Sequence, residues 1–240
     1  ERFFPETAEA RRQKIFYPRA MMLVNELLSR FKVPAPVLLA DVGAGFGIFL
    51  EEAKKTGAFS EIFAIEPSAD LANCCRSRGF QVIEKSVEDI KENELQVSVA
   101  CSFEVLEHLF DPEKFIMSIK KILKPGGLMI FTTLTISGLD LQVLWNNSKS
   151  ISPPHHINFL SMEGLKLLIK RCGLEEIEIS TPGKLDVDII RNAMKEMPDL
   201  TVPRFIEYIV KNRSSETFEQ LQAFLQNNNL SSHARVVARK

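Results

Sequence analysis

An α/β fold built on a doubly wound, mostly parallel sheet is predicted by three features of the sequence. Strand-like and helix-like segments alternate between positions 36 and 133, the connections between them are short, and a glycine-rich turn follows the first apolar run. That run, 36–41 (PVLLAD), reads as a buried parallel strand. A helix follows, with Phe46, Phe49, Leu50 and Ala53 at helical spacing up to Gly57. Strands are expected at 61–65, 81–84 and 97–102, and Ser68 is placed to cap the helix that ends near Gly79. Asp111-Pro112 opens another helix with Phe115, Ile119 and Ile122 inward; Lys124-Pro125-Gly126-Gly127 reads as its stop, before a fifth strand at 128–133. Ser161 caps a helix carrying Leu165, Leu168, Ile169 and Cys172 on one face, and two last strands are expected at 176–180 and 233–239, making seven. About 50 residues of helical pattern separate those two strands, far more than a hairpin needs. The expected organisation is an N-terminal helical cap at 1–34, a core at 35–182 and 230–240, and a helical insertion at 183–229. In the cap, Met21, Val24, Leu27, Leu28 and Phe31 share a face.

The chain has 240 residues, 45% hydrophobic and 25% charged, which suits one sizeable soluble domain with a subdomain. Thirty Lys+Arg against 31 Asp+Glu leave a net charge of −1, which counts against nucleic acid gripped through its phosphates. No apolar run approaches the roughly 20 residues that span a bilayer, and nothing resembles a signal peptide, so no membrane partner is expected. Cys74, Cys75, Cys101 and Cys172 show neither metal nor redox spacing, so they read as free thiols of a cytoplasmic protein.

In Asp41-Val42-Gly43-Ala44-Gly45-Phe46-Gly47, glycines let the chain turn sharply and let a ligand approach the main chain. Glu66 closes the second strand 19 residues after Gly47, where a carboxylate can accept both hydroxyls of a ribose. A dinucleotide fingerprint needs glycine where Ile48 stands, which disfavours a nicotinamide dehydrogenase.

The segments DVGAGFG (41–47), AIEPS (64–68), SVED (86–89), SFEVLEHLFDP (102–112) and LKPGGLMIFTT (123–133) together resemble class I S-adenosylmethionine-dependent methyltransferases, in family order and spacing. The resemblance implies a seven-stranded Rossmann-like sheet with an antiparallel C-terminal hairpin, and S-adenosylmethionine as cofactor. It implies that Asp41, Gly43 and Gly45 surround the methionine part, Glu66 holds the ribose, Pro67, Ser68, Val87 and Glu88 border the adenine, and Ser102 or Phe103 faces the sulfonium.

Methyl transfer from a sulfonium asks mainly for positioning and water exclusion; a base is needed only for a hydroxyl or acidic carbon acceptor. Glu104, Glu107 and His108, at i, i+3 and i+4, can share one side of a helical turn. This string resembles the metal-holding segment of ubiquinone-biosynthesis O-methyltransferases and small-RNA 2′-O-methyltransferases, where Mg²⁺ serves. It also occurs in methyltransferases with no known metal, so ligand, base and structural roles all stay open; no metal is assigned. A second cluster, Pro153-Pro154-His155-His156-Ile157-Asn158-Phe159, resembles a loop of bacterial methyltransferases associated with sugars and surface glycans. His156, ahead of His155 and His108, is the candidate base; a backbone-fixing role is the alternative. Arg11, Arg12, Lys14, Tyr17 and Arg19 either meet an anionic acceptor such as a nucleotide sugar or form a solvated face.

The expected function is methyl transfer to a small polar acceptor, a sugar or glycan-precursor hydroxyl first. The insertion is expected to help form the acceptor site or a homodimer contact. A metal-assisted RNA 2′-O-methyltransferase and a non-catalytic S-adenosylmethionine-binding subunit are the alternatives.

Overall fold

The computed structural model describes residues 9–240, so positions 1–8 of the expected cap lie outside the described residues. Strand β1 (Leu38–Val42) is buried from its second residue onward, as a strand covered on both faces must be. It pairs in parallel with β2 (Glu61–Ile65), from Leu38↔Glu61 to Val42↔Ile65, and with β4 (Val97–Phe103), from Leu39↔Val99 to Asp41↔Cys101. Next, β2 pairs in parallel with β3 (Gln81–Ile83). Helix α2 (Ile48–Lys55) connects β1 to β2, and α3 (Ala69–Ser77) connects β2 to β3. This register sets the carboxyl ends of β1, β2 and β4 side by side, at the edge where doubly wound sheets bind ligands.

With β5 (Leu123–Leu134), β6 (Glu175–Ser180) and β7 (His233–Arg239), the strand order is β3-β2-β1-β4-β5-β7-β6. β7 runs antiparallel to β5. At one end Gly126 N–H donates to Lys240 O and Lys240 N–H to Gly127 O, both at 3.0 Å; at the other, Thr135 N–H donates to Ser232 O at 2.8 Å. Residues 124–127, expected as a helix stop, are therefore strand, and α4 (Pro112–Ile122) ends directly before them. The reason is tertiary: the C-terminal residue satisfies the glycine backbone. A Cβ on Gly127 would stand 2.9 Å from Lys124 O and 3.1 Å from Ser98 O.

The chain folds as two compact units. The first holds the described residues up to Phe103, Glu113–Ile130 and Arg239–Lys240; the second holds Glu104–Pro112 and Phe131–Ala238. This division cuts after β4 and within β5.

In the first unit, α1 (Tyr17–Met22) is continued by wider π turns at Arg12–Phe16 and Leu23–Leu28. The wider turns shift the phase of the helix. Its fully buried stripe is Ala20, Leu23 and Leu27, so only Leu27 of the expected face is fully buried. Arg12 pairs with Glu51 at 2.6 Å and with Glu52, both on α2.

The second unit contains α5 (Leu139–Leu144), α6 (Met162–Arg171) and, between β6 and β7, the insertion helices α7 (Asp186–Glu196), α8 (Arg204–Asn212) and α9 (Ser215–Asn227). Ser161 caps α6, its Oγ accepting from Gly164 N–H at 3.1 Å. Ser68 occupies the N-cap of α3 without a side-chain cap bond; its N–H donates instead to Glu66. The insertion closes on α5 through Leu144, Ile190, Ala193, Val202 and Ile206. Gly138 opens α5 where a Cβ would fall 2.2 Å from Ser232 Cα, so the chain passes only without a side chain. Asp140, fully buried beside Asp186, has its carboxyl pushed up to about 6 by burial and then by the Asp186 charge. Asp186 accepts from Gln222 Nε2, Ser231 Oγ and Ser232 N–H at 2.8, 2.5 and 2.8 Å. No helix among the described residues is long and apolar enough to cross a membrane.

Candidate active site

All ten positions expected to touch the cofactor fall in the first unit, at or just past the carboxyl ends of β1 to β4. After β1, Gly43 N–H donates to Ile65 O at 2.9 Å and ties the loop to β2. Gly45 and Gly47 have φ of +57° and +73°, conformations that a side chain strains. A Cβ at Gly45 would meet nothing within 4 Å, so that side of the loop is open; one at Gly47 would stand 3.0 Å from Cys75 Sγ. Cys75 donates to Gly45 O at 3.3 Å, and its thiol is pushed up to about 11 by burial and then by Asp41, which leaves it inert. All four cysteines are free.

Glu66 is 6% exposed, and backbone holds each of its oxygens: Oε2 accepts from Gly45 N–H at 2.8 Å, Oε1 from Ser68 N–H at 3.0 Å. A carboxylate has about four lone-pair sites, so two remain for a diol. Asp41 is pushed up to about 7 by burial; Arg19 pulls it back down and Glu66 adds to the rise. At the end of β4, Phe103 is packed edge-on by Phe49, centroids 4.8 Å apart, with the Arg19 guanidinium 4.7 Å above its ring. The buried Ser102 Oγ has no hydrogen-bond partner among the described residues. Pro67 and Ser68 are exposed beyond β2, Val87 is buried and Glu88 half-buried.

These residues fit S-adenosylmethionine: a carboxylate with spare lone pairs for the ribose, Asp41 for a cationic centre, an orphan hydroxyl at Ser102, and an open main chain at Gly45. Arg12, by contrast, is spent on Glu51 and Glu52, which is structural use of the basic face.

The second unit carries the acid–histidine cluster. Glu104 leaves the strand with φ of +55°, and the helical turn begins only at Leu106–His108. The i, i+3, i+4 spacing therefore does not gather the three residues. Glu104 instead accepts from Thr132 Oγ1 at 2.6 Å and lies 3.3 Å from His233 Nδ1. Glu107 is 2% exposed, accepts from Thr133 Oγ1 at 2.9 Å, and is pushed up to about 7 by burial and then by Glu104.

His108 Nδ1 lies 2.8 Å from His155 O, and His156 Nδ1 lies 2.6 Å from Ser150 O. A carbonyl only accepts, so each Nδ1 carries the hydrogen and each Nε2 keeps a lone pair when the ring is neutral. The two rings stand 4.8 Å apart. Glu107, His108 and His156 offer ligand atoms within 4.8 Å of one another. His155 contributes its carbonyl, while its ring is exposed and outside this trio. Sequence reasoning missed Thr132, Thr133 and His233, because the expected hairpin pairs the last two strands with each other and gives no signal that β7 also lies beside β5.

A doubly wound sheet with a glycine loop and a diol-ready carboxylate at its carboxyl edge defines an α/β domain for a nucleoside-bearing cofactor. A family profile described as a methyltransferase domain matches residues 10–179, and the chain belongs to that family, as a class I S-adenosylmethionine-dependent methyltransferase domain. Among curated proteins it is 35% identical over 133 residues to the ubiquinone biosynthesis O-methyltransferase of Methylococcus capsulatus, covering 50% of this chain and 54% of that one. It is 26% identical to the mitochondrial ubiquinone biosynthesis O-methyltransferase of Dictyostelium discoideum, over 48% and 41%. The chain thus spans about half the length of these relatives. A tRNA U34 carboxymethyltransferase of Trichlorobacter lovleyi is 29% identical, over 64% and 49%. In fold, the chain is similar to the plantazolicin methyltransferase BpumL bound to SAH (TM-score 0.61, 13% identity, 98% and 89% covered). It is equally similar to a chain of a complex that contains the Haloferax volcanii Trm112 methyltransferase activator (TM-score 0.61, 19% identity, 98% and 96% covered).

Proposed function

We propose that the protein transfers a methyl group from S-adenosylmethionine to a hydroxyl of a small polar molecule. The observation that carries this reading is the pair of imidazoles, His108 and His156, each with Nδ1 against a backbone carbonyl and Nε2 left with its lone pair. When bound, the cofactor supplies an electrophilic methyl group on a sulfonium. The first unit's residues hold it: Glu66 at the ribose, Asp41 near the positive charge, Ser102 and Phe103 at the sulfonium end, Pro67, Ser68, Val87 and Glu88 at the base. His156 Nε2 takes the acceptor's hydroxyl proton, a reading supported by the lone pair left on that nitrogen while Nδ1 bonds Ser150 O. Buried Glu107, with the trio's other ring His108, stabilises the imidazolium that results. No relative reported above is named for a sugar; those of ubiquinone biosynthesis are named for O-methylation. The O-methylation in those names supports a hydroxyl as the acceptor group.

A second reading has its own observation. One carboxylate and two imidazoles within 4.8 Å, each imidazole backed by a carbonyl, are a donor set for a divalent cation such as Mn²⁺ or Zn²⁺, and on this reading Mg²⁺ is the poorer match. In that case the cation, not His156, would polarise the acceptor hydroxyl.

The deciding experiment supplies methyl-labelled S-adenosylmethionine with catechols, nucleotide sugars and tRNA, with and without EDTA. Label in a catechol or sugar regardless of EDTA is the expected result. Loss of transfer with EDTA favours the cation reading, and label in tRNA alone overturns the small-molecule acceptor. Tight binding without transfer to any acceptor would indicate a non-catalytic subunit.

A further inference from the structure

The 150–160 loop that carries His156 has little regular structure of its own: a bridge between Thr135 and Leu160 marks its end, and its internal bonds run from His155 and His156 N–H to Ser152 O and from His156 Nδ1 to Ser150 O. The turn Leu106–His108, 50 positions earlier, is three residues long; Leu106 O accepts from Leu109 N–H at 3.3 Å, and no helix continues to satisfy Glu107 O and Leu109 O. Asn158 joins the two. Its Nδ2 donates to Leu109 O and approaches Leu106 O at 3.4 Å, so one amide spans the turn from its first carbonyl to the one just past its end. Its own N–H and that of Ile157 converge on Glu107 O at 3.1 and 2.8 Å. The return contact is His108 Nδ1 on His155 O at 2.8 Å.

We infer that Asn158 is a positioning residue: its side-chain amide clamps the 150–160 loop to the 106–109 turn and thereby sets His156 against Glu107 and His108. The chemistry suits asparagine alone among side chains of its size. Two N–H donors on a short stem bridge two carbonyls; aspartate has the same shape with acceptors only, and leucine has neither. Asn158 itself touches no acceptor on this account. The inference rests on the methyl-transfer reading only for its kinetic consequence, since the clamp is a property of the free protein.

The test uses Asn158→Asp, which keeps the shape and loses the donors, with Asn158→Ala as a second variant should the first fail to fold. Ile190→Val, in the insertion core, serves as a control that lowers Tm without touching the clamp. Expected for Asn158→Asp are a fall in kcat of about tenfold to a hundredfold, as misplacement of a reacting group by about 1 Å produces, and SAH affinity within about twofold of wild type. Histidine ring ¹⁵N spectra should show His108 and His156 as Nδ1–H tautomers in wild type and averaged signals in the variant. Unchanged ring signals in the variant, or a kcat loss no greater than Ile190→Val gives for the same fall in Tm, overturn the inference. If wild type methylates no hydroxyl at all, the ring spectra alone decide. Tautomers locked in wild type and released in the variant uphold the clamp while the methyl-transfer reading falls.

Discussion

In the first unit Glu66 is held by the backbone of Gly45 and Ser68, 21 and 2 positions away; in the second, His108 finds its partner carbonyl on His155, 47 positions away. The cofactor cradle is made of neighbouring motif residues and main chain. The acid–histidine cluster is made of a turn, a loop and, around Glu104, two further strands. Methyl donors of one chemistry ask for one cradle, whereas acceptors differ. The contrast sets the glycine loop and Glu66 on shorter-range backbone contacts and the acid–histidine cluster on longer-range assembly.

The largest effect separating the two regions is expected from His156→Ala. Turnover should fall about 10²- to 10⁴-fold, as for loss of a general base, with SAH affinity unchanged by calorimetry. An equal loss of affinity would erase the distinction between regions. Glu66→Ala should do the reverse and weaken SAH binding by about 1–3 kcal/mol, because a buried carboxylate that receives donors from two sides is lost. Wild-type affinity would remove Glu66 from the cradle.

Gly138→Ala probes the second unit away from both sites. With a Cβ 2.2 Å from Ser232 Cα it should cost about 1–3 kcal/mol in denaturant unfolding and leave SAH affinity intact. The smallest effect is the pH response of Asp140. Its folded-state value of about 6 lies above the ordinary aspartate value, so its contribution to stability is fully present below about pH 4 and lost as pH rises through 6. Asp140→Asn should therefore flatten part of the decline in stability between pH 4 and 6, by about 1–2 kcal/mol, because Asp186 shares the charge. An unchanged stability profile would mean that Asp140 ionises freely.

Legibility follows the same contrast. The bounds of β2 and β7 and the capping role of Ser161 are legible in the sequence, because period and capping are local signals. The helix does end before the KPGG segment, at Ile122, but the strand starts at Leu123 and not at Leu128, because Gly126 and Gly127 pair with Lys240, a partner far along the chain. The i, i+3, i+4 spacing of Glu104, Glu107 and His108 misled because one positive φ, at Glu104, removes it from the helical turn. The loop sequence marks His156 as a candidate, but nothing in the loop says that it lies near Glu107.

What the sequence by itself determined is the order of strands and helices, the glycine bend after β1 and the carboxylate that closes β2. Each depends on residues within a few turns of one another, where propensity and steric limits act directly. Only the tertiary structure decided which acid joins which imidazole, because Glu104 and His233 lie 129 positions apart and Glu107 and His156 lie 49 apart, and they meet only after the strands and loops that bear them have been brought together by burial of the core.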